Sequence, residues 1–333
     1  MEIKAEKTKL HLKQPFQLSR PSDNVRENVI VEIEGNFGEG APLYYLGETA
    51  DYIYSASKEI LEILEKKVGF DYLTENPWPR DLLKFPKPAL SAVSQAVYGY
   101  LASQKGKPLY EYLGLPKPKD IKTSFSIGIV TPKQLEQILT ENPDYAVYKL
   151  KLGGDDDIEI VSEFRKLSKA GLRLDINGGW NLKEATEKIG QLATFDIEFI
   201  EQPLPPGELD KLEELTYNTE IPIFIDEDLN VFSDILRYNG IADGINVKLS
   251  KGGLIFDTLR IIQYAKQLGL KILLGCMVES SVGITSALHI AGLADFIDLD
   301  GNKLIEDDPF VGADLKNGVL AIPEKSGTGA RRR

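Results

Sequence analysis

Short apolar segments in the last two-thirds of the chain end in charged residues at nearly constant spacing, and this period restricts the fold more than any other feature. From Lys149 to Asp175 is 26 positions, from Asp175 to Glu201 is 26, from Glu201 to Asp226 is 25 and from Asp226 to Lys248 is 22. These residues belong to a series of eight strand-like segments: SFSIGIV, AVYKLKL, LRLDIN, IEFIEQ, IPIFIDE, DGINVKL, KILLGC and FIDLD. Helix-length amphipathic stretches separate them. Short apolar strands alternating with helices predict parallel βα units. Eight strands at such a period favour a closed barrel over an open sheet.

In a parallel barrel the loops after the strands converge at the C-terminal end, which is where these charges lie. Side chains on a strand alternate between faces. Lys149 and Lys151 therefore share the inward face, while Tyr148, Leu150 and Leu152 pack outward. The same parity pairs Asp175 with Asn177 and Asp298 with Asp300. Asp175, Glu201 and Asp226, from three consecutive strands without cysteine or histidine, suit a hard cation, and Mg²⁺ is the ion expected. Lys151 and Lys248 fall on the second and sixth strands, on opposite sides of the ring. A lysine titrates near pH ~10.4, so a basic role near neutrality requires lowering by about three units, about 4 kcal/mol. Lys149, a like charge on the same face, and a nearby Mg²⁺ are expected to supply that lowering.

Residues 1–118 read differently. Period-two segments such as ENVIVEIEG precede helical ones (residues 51–68 and 89–104), an α+β pattern. The proline-bearing break LPKPKD, 115–120, marks the boundary with a barrel unit at 119–305, and residues 306–333 are expected to return to the first unit. The chain has 51 acidic and 39 basic side chains, a net charge of -12, which argues against nucleic acid or an anionic membrane as partner. One cysteine, Cys276, excludes an internal disulfide, and the polar start lacks a signal or anchor pattern. These features predict a cytoplasmic protein.

The motifs YKLKLG, LDINGGW, FIEQPL, IPIFIDEDL, INVKLSKGG and GCMVESSVG, in this order, resemble the muconate-lactonizing subgroup of the enolase superfamily. GEGAP at 38–42 and GKPLYEYLG at 106–114 are similar to that family's capping segments. The resemblance implies an α/β fold, a modified TIM barrel (β/α)7β with an α+β capping domain. It implies Mg²⁺ held by Asp175, Glu201 and Asp226, with Lys151 as the base on one face of a substrate α-carbon and Lys248 as the acid or base on the other. Lys149 would lower the pKa of its neighbour and stabilise the oxyanion of an enediolate.

The segment FIDLDGNKL resembles the dipeptide epimerases of this subgroup, in which such an Asp-x-Asp receives the substrate's α-ammonium group. Asp298 and Asp300 would form that cation site. Arg20, with Arg26 as competitor, would read a distal carboxylate if the dipeptide is L-Ala-D/L-Glu; an apolar C-terminal residue is the other possibility. Asn177 would contact substrate; Glu279 and Ser280 match the family's seventh-strand segment and would either position substrate or act from behind the residues that touch it. Gly178 stands where the family often has glutamine, and the terminal GTGARRR departs from the family's usual ending. Cys276 and Met277 read as core filling, and His11 and His289 as non-catalytic. The competing readings are o-succinylbenzoate synthase and muconate cycloisomerase, whose anionic substrates the two aspartates would repel, and a non-catalytic small-molecule binder. A homo-oligomer is expected from the family.

Overall fold

The structure is a computed structural model and describes residues 1–13, 24–74, 76–143 and 145–333. Strands β1 (Ile3–His11), β2 (Val25–Ile33) and β3 (Asn36–Gly40) form an antiparallel sheet in that order. Two helices cover it, α1 (Ala50–Ile63), capped by the Thr49 side chain, and α2 (Lys87–Gln104), which begins at Pro86-Lys87-Pro88. Helix α2 is buried on almost every side, as expected of a helix between two layers. It lies between this sheet and the second unit, where Ser94 Oγ accepts from Ile255 N at 3.2 Å. Gly38 and Gly40 permit that packing: a Cβ would meet Ala92 O at 2.0 Å and Pro88 O at 2.3 Å, respectively.

After β4 (Ile121–Lys122) come eight parallel strands: β5 (Phe125–Ile127), β6 (Val147–Lys151), β7 (Gly171–Asp175), β8 (Phe199–Glu201), β9 (Ile223–Ile225), β10 (Gly244–Val247), β11 (Lys271–Gly275) and β12 (Phe296–Asp298). Their order is sequential from β5 to β12. A hydrogen bond from Ser124 N to Ile297 O, 3.2 Å, brings the first strand back to the last. Helical crossovers separate all eight, so the (β/α)7β barrel expected from the period is the fold observed.

Parity divides the barrel as the sequence predicts. Outward residues such as Tyr148, Leu150, Leu174, Ile225 and Val247 join one apolar core that continues through Val29, Ile53 and Val93 of the first unit. Inside, Phe199, Phe224, Leu273 and Phe296 form a separate apolar floor, with the Phe199 and Phe224 rings stacked 4.2 Å apart. Arg173 lies 5.4 Å from the Phe199 ring and 5.1 Å from that of Phe296. Its guanidinium donates to Glu198 at 2.8 Å and Ile297 O at 2.7 Å. The charged layer stands above this floor.

The C-terminal segment crosses back to the first unit. Leu109 N donates to Gly327 O at 2.8 Å, and Arg332 donates to Glu6 at 2.8 Å while lying over the Phe37 and Phe310 rings. This accounts for the arginine-bearing ending that had no explanation in the sequence. Buried His289 accepts from Tyr110 N at 3.0 Å through Nδ1 and donates from Nε2 to Thr328 O at 2.9 Å, which fixes the neutral ring. Burial pushes it down to about 4. The unfolded imidazole binds a proton near pH ~6.5 and the folded one does not, so stability is full above that pH and falls as the pH approaches 4. The expected loss is roughly 3 kcal/mol from this site. Urea midpoints at pH 7 and pH 4.5 check it: the drop should be smaller in His289→Gln than in the unsubstituted protein.

Candidate active site

Register sets the charged layer. Lys151 pairs with Asp175 across β6 and β7, and Asp175 with Glu201 across β7 and β8, so three charges stand in a row. Asp226 follows β9, Lys248 follows β10, and Asp298 ends β12 beside Gly275. Strands β6 and β10 are separated by three strands in the ring of eight, which places Lys151 and Lys248 on opposite walls. Both line one cavity together with Lys149, Asn177, Asp226, Asp298 and Asp300.

The buried Lys149 ammonium lies 2.9 Å from Asp175, 2.7 Å from Glu201 and 2.8 Å from Asp298. Lys151 reaches Asp175, and Lys248 reaches Asp226 at 2.7 Å and Met277 Sδ at 3.9 Å. Burial alone would lower Lys149 and Lys248, but the carboxylates outweigh it and hold both above the ordinary lysine value. The sequence reading treated Lys149 as a positive neighbour to Lys151. In the structure its charge is instead shared among three acids, because the closed ring adds Asp298 to Asp175 and Glu201.

Burial raises the carboxyls and neighbouring lysines oppose it, so Asp175 lies below its ordinary value and Asp226 well below. Glu201 is pushed up to about 7, first by burial and then by the charge of Asp175. Among the described residues no three acidic, histidine or cysteine groups stand, as they are, in an arrangement that could hold a metal ion. The donor set nonetheless fits a hard cation. Three buried carboxylates repel one another, and Lys149 is a stand-in positive charge touching two of them.

Asp298 and Asp300 also converge. Asp298 accepts from Lys149 and from the Ser124 and Ser126 hydroxyls, and Lys149 outweighs burial to keep it ionised. Asp300 accepts from Ser126 N at 2.6 Å. Among the described residues no lysine or arginine forms an ion pair with it, and burial together with Asp298 raises it to about 7. A ligand ammonium would meet an unneutralised acid there.

Other positions differ from the sequence reading. Glu279 and Ser280 are buried behind the cavity wall; Cys276 packs against the core as expected and, with Met277, also lines the cavity. Arg26 lines the mouth; Arg20 lies outside the described residues. Asn177 (φ 48°) and Gly178 (φ 73°) form a left-handed turn, and a Cβ on Gly178 would approach Pro205 Cα at 3.2 Å, so glycine suits the site.

Two contributors were missed. Buried Lys251 donates to Asp226, and the spacing Lys248-x-x-Lys251 was its available signal. The Gln202 side chain accepts from Asp226 N at 3.0 Å and donates to Asp228 at 2.7 Å, tying two strand ends together. Its signal was its place immediately after Glu201.

The fold and site define a barrel with opposed lysines above a layer of acids. Residues 132–332 match the family described as enolase C-terminal domain-like. The chain is 33% identical over 331 residues to the L-Ala-D/L-amino acid epimerase of Flavobacterium johnsoniae, covering 96% of each. It is 35% identical over 345 residues to the hydrophobic dipeptide epimerase of Roseobacter litoralis, covering 98% of each. Among solved structures, a substrate-liganded complex of the L-Ala-D/L-Glu epimerase from Bacillus subtilis superposes with a TM-score of 0.89 at 28% identity, covering 99% of this chain and 98% of that one. The Cytophaga hutchinsonii dipeptide epimerase, complexed with Mg and D-Ala-L-Val, gives a TM-score of 0.88 at 26% identity, covering 99% and 95%. The chain belongs to the enolase C-terminal domain-like family of the enolase superfamily.

Proposed function

We propose that this chain is a Mg²⁺-dependent dipeptide epimerase that inverts the α-carbon of the C-terminal residue. The observation that carries this reading is the pair of lysines facing each other across one cavity from β6 and β10. Asp175, Glu201 and Asp226 would hold Mg²⁺, which supplies positive charge that acidifies the proton α to the substrate carboxylate.

Inversion requires one C–H bond to break on one face and another to form on the opposite face. In one direction Lys151 accepts the α-proton at Nζ, while Lys248, held protonated beside Asp226, delivers a proton from its Nζ. The return direction exchanges these roles. Lys149 adds a buried positive charge on the Lys151 side, where negative charge develops on the carboxylate. Asp298 and Asp300 receive the dipeptide's α-ammonium, which neutralises Asp300 and orients the substrate. Asn177 and Arg26 line the mouth and contact substrate.

The same reading places the protein in the cytoplasm as a homo-oligomer. Among the described residues no helix is long and apolar enough to cross a membrane. Dianionic succinylbenzoate or muconate would meet Asp300 unfavourably.

Proton NMR in D₂O with Mg²⁺ and a set of L,L-dipeptides, L-Ala-L-Glu and apolar C-terminal residues included, tests the proposal. The C-terminal α-proton signal should disappear as the L,D-diastereomer grows in. Absence of exchange with every dipeptide would overturn the reading, and the best substrate would identify the preferred side chain.

A further inference from the structure

The acidic residue of GEGAP, Glu39, is fully buried near the end of β3, behind Asn28, which lines the cavity. Its carboxylate accepts from Ser280 N at 3.0 Å, Ser280 Oγ at 2.6 Å, Gly283 N at 3.0 Å and Asn28 Nδ2 at 2.8 Å. Ser280 and Gly283 begin the helix Ser281–Leu288 that follows β11, so a carboxylate from the first unit caps a barrel helix. The Glu39 backbone is held in turn by α2, with its N–H donating to Gln95 at 3.1 Å and its carbonyl accepting from Gln95 at 2.9 Å.

Neighbouring bonds cross the same boundary. Asn28 donates to Val278 O at 2.9 Å, and Ala41 N donates to Ser250 Oγ at 3.2 Å. Ser250 then donates to Glu279 at 3.1 Å. These bonds enclose the turn Met277–Ser280 and the short helix Leu249–Gly252, which together flank Lys248. We propose that Glu39 is a positioning residue for the Lys248 side of the cavity, holding the Met277–Ser280 turn in place from across the unit boundary. This inference rests on the dipeptide epimerase reading for its catalytic readout.

Burial raises the Glu39 carboxyl and its four donors work against that rise, while Glu279 is pushed up to about 8 by burial and then by Glu39. A fully satisfied buried network of this kind defines one geometry. Lys151, whose Asp175 partner lies on the adjacent strand β7, has no share in it. Disturbing Glu39 should therefore affect one face of the substrate and spare the other.

Glu39→Gln preserves shape but turns an –NH₂ towards either Asn28 or the helix amides, both donors. In D₂O, α-proton exchange is followed separately from each diastereomer, with Lys151→Ala and Lys248→Ala identifying which diastereomer faces which lysine. Glu39→Gln should slow exchange at the Lys248 face at least tenfold and leave the Lys151 face within twofold, and Glu39→Asp should recover part of the loss. Amide exchange at Ser280 and Gly283 should rise at least tenfold while Val147–Lys151 is unchanged. Equal slowing on both faces, or unaltered Ser280 and Gly283 protection, would overturn the assignment. If Glu39→Gln fails to fold, Glu39→Asp carries the same comparison with smaller changes. If the unsubstituted protein exchanges neither diastereomer, the epimerase reading falls, and the amide measurement alone decides whether Glu39 holds this turn.

Discussion

Replacing either Lys151 or Lys248 with alanine should abolish net inversion while leaving α-proton exchange on the opposite face. Inversion needs a proton removed from one side and returned on the other, and the cavity offers one lysine at each side. Loss of one acid/base group should reduce inversion by about 10²–10⁴-fold. Folding should survive both changes. In Lys151→Ala, Asp175 keeps Lys149 at 2.9 Å; in Lys248→Ala, Asp226 keeps Lys251. Exchange in D₂O, read for each diastereomer separately, should thus become one-sided, with opposite sides lost in the two variants. Inversion near the unsubstituted rate in either variant would exclude a two-lysine mechanism.

The separation of those lysines was legible in the chain because it depends on two simple periodicities, the alternation of side chains along a strand and the near-constant strand spacing. Together they placed Lys151, Asp175, Glu201, Asp226 and Lys248 around one mouth, and the register across β6, β7 and β8 has the same order. Partner choice was not legible. Lys149 shares a face with Lys151, but its pairing with Asp298 depends on closure of the ring between positions 149 residues apart. Glu39 and Ser280 are 241 residues apart, and Arg332 and Glu6 are 326 apart; no local pattern announces either contact. Cys276 and Met277 have the composition of core residues. They face the cavity because they follow the end of β11 at Gly275, where alternation no longer applies.

Removing one carboxylate from the candidate metal set should abolish Mg²⁺ binding without weakening the metal-free fold. Glu201 provides the clearest case. It is completely buried beside Asp175 and Asp226, and these acids disfavour its charge. Glu201→Gln removes that repulsion, while a carboxamide oxygen can still accept from Asn246 Nδ2, now at 2.7 Å. Against that gain, the carboxamide –NH₂ takes the place of the oxygen that faces the Lys149 ammonium at 2.7 Å, although Lys149 retains Asp175 and Asp298. The two effects oppose each other, so the metal-free variant should unfold close to the temperature of the metal-free unsubstituted protein.

Added Mg²⁺ should separate the two proteins. At a hundredfold excess over Kd, ligand binding to the native state stabilises by about 2.7 kcal/mol, raising the unsubstituted protein's Tm by several degrees. Glu201→Gln should show almost no rise and no calorimetric binding heat, and its epimerase activity should be lost. A Mg²⁺-dependent Tm shift equal in both proteins would remove Glu201 from the ligand set. A metal-free variant much less stable than its parent would instead assign Glu201 to the fold, as the partner that holds Lys149 and Asn246 in the barrel.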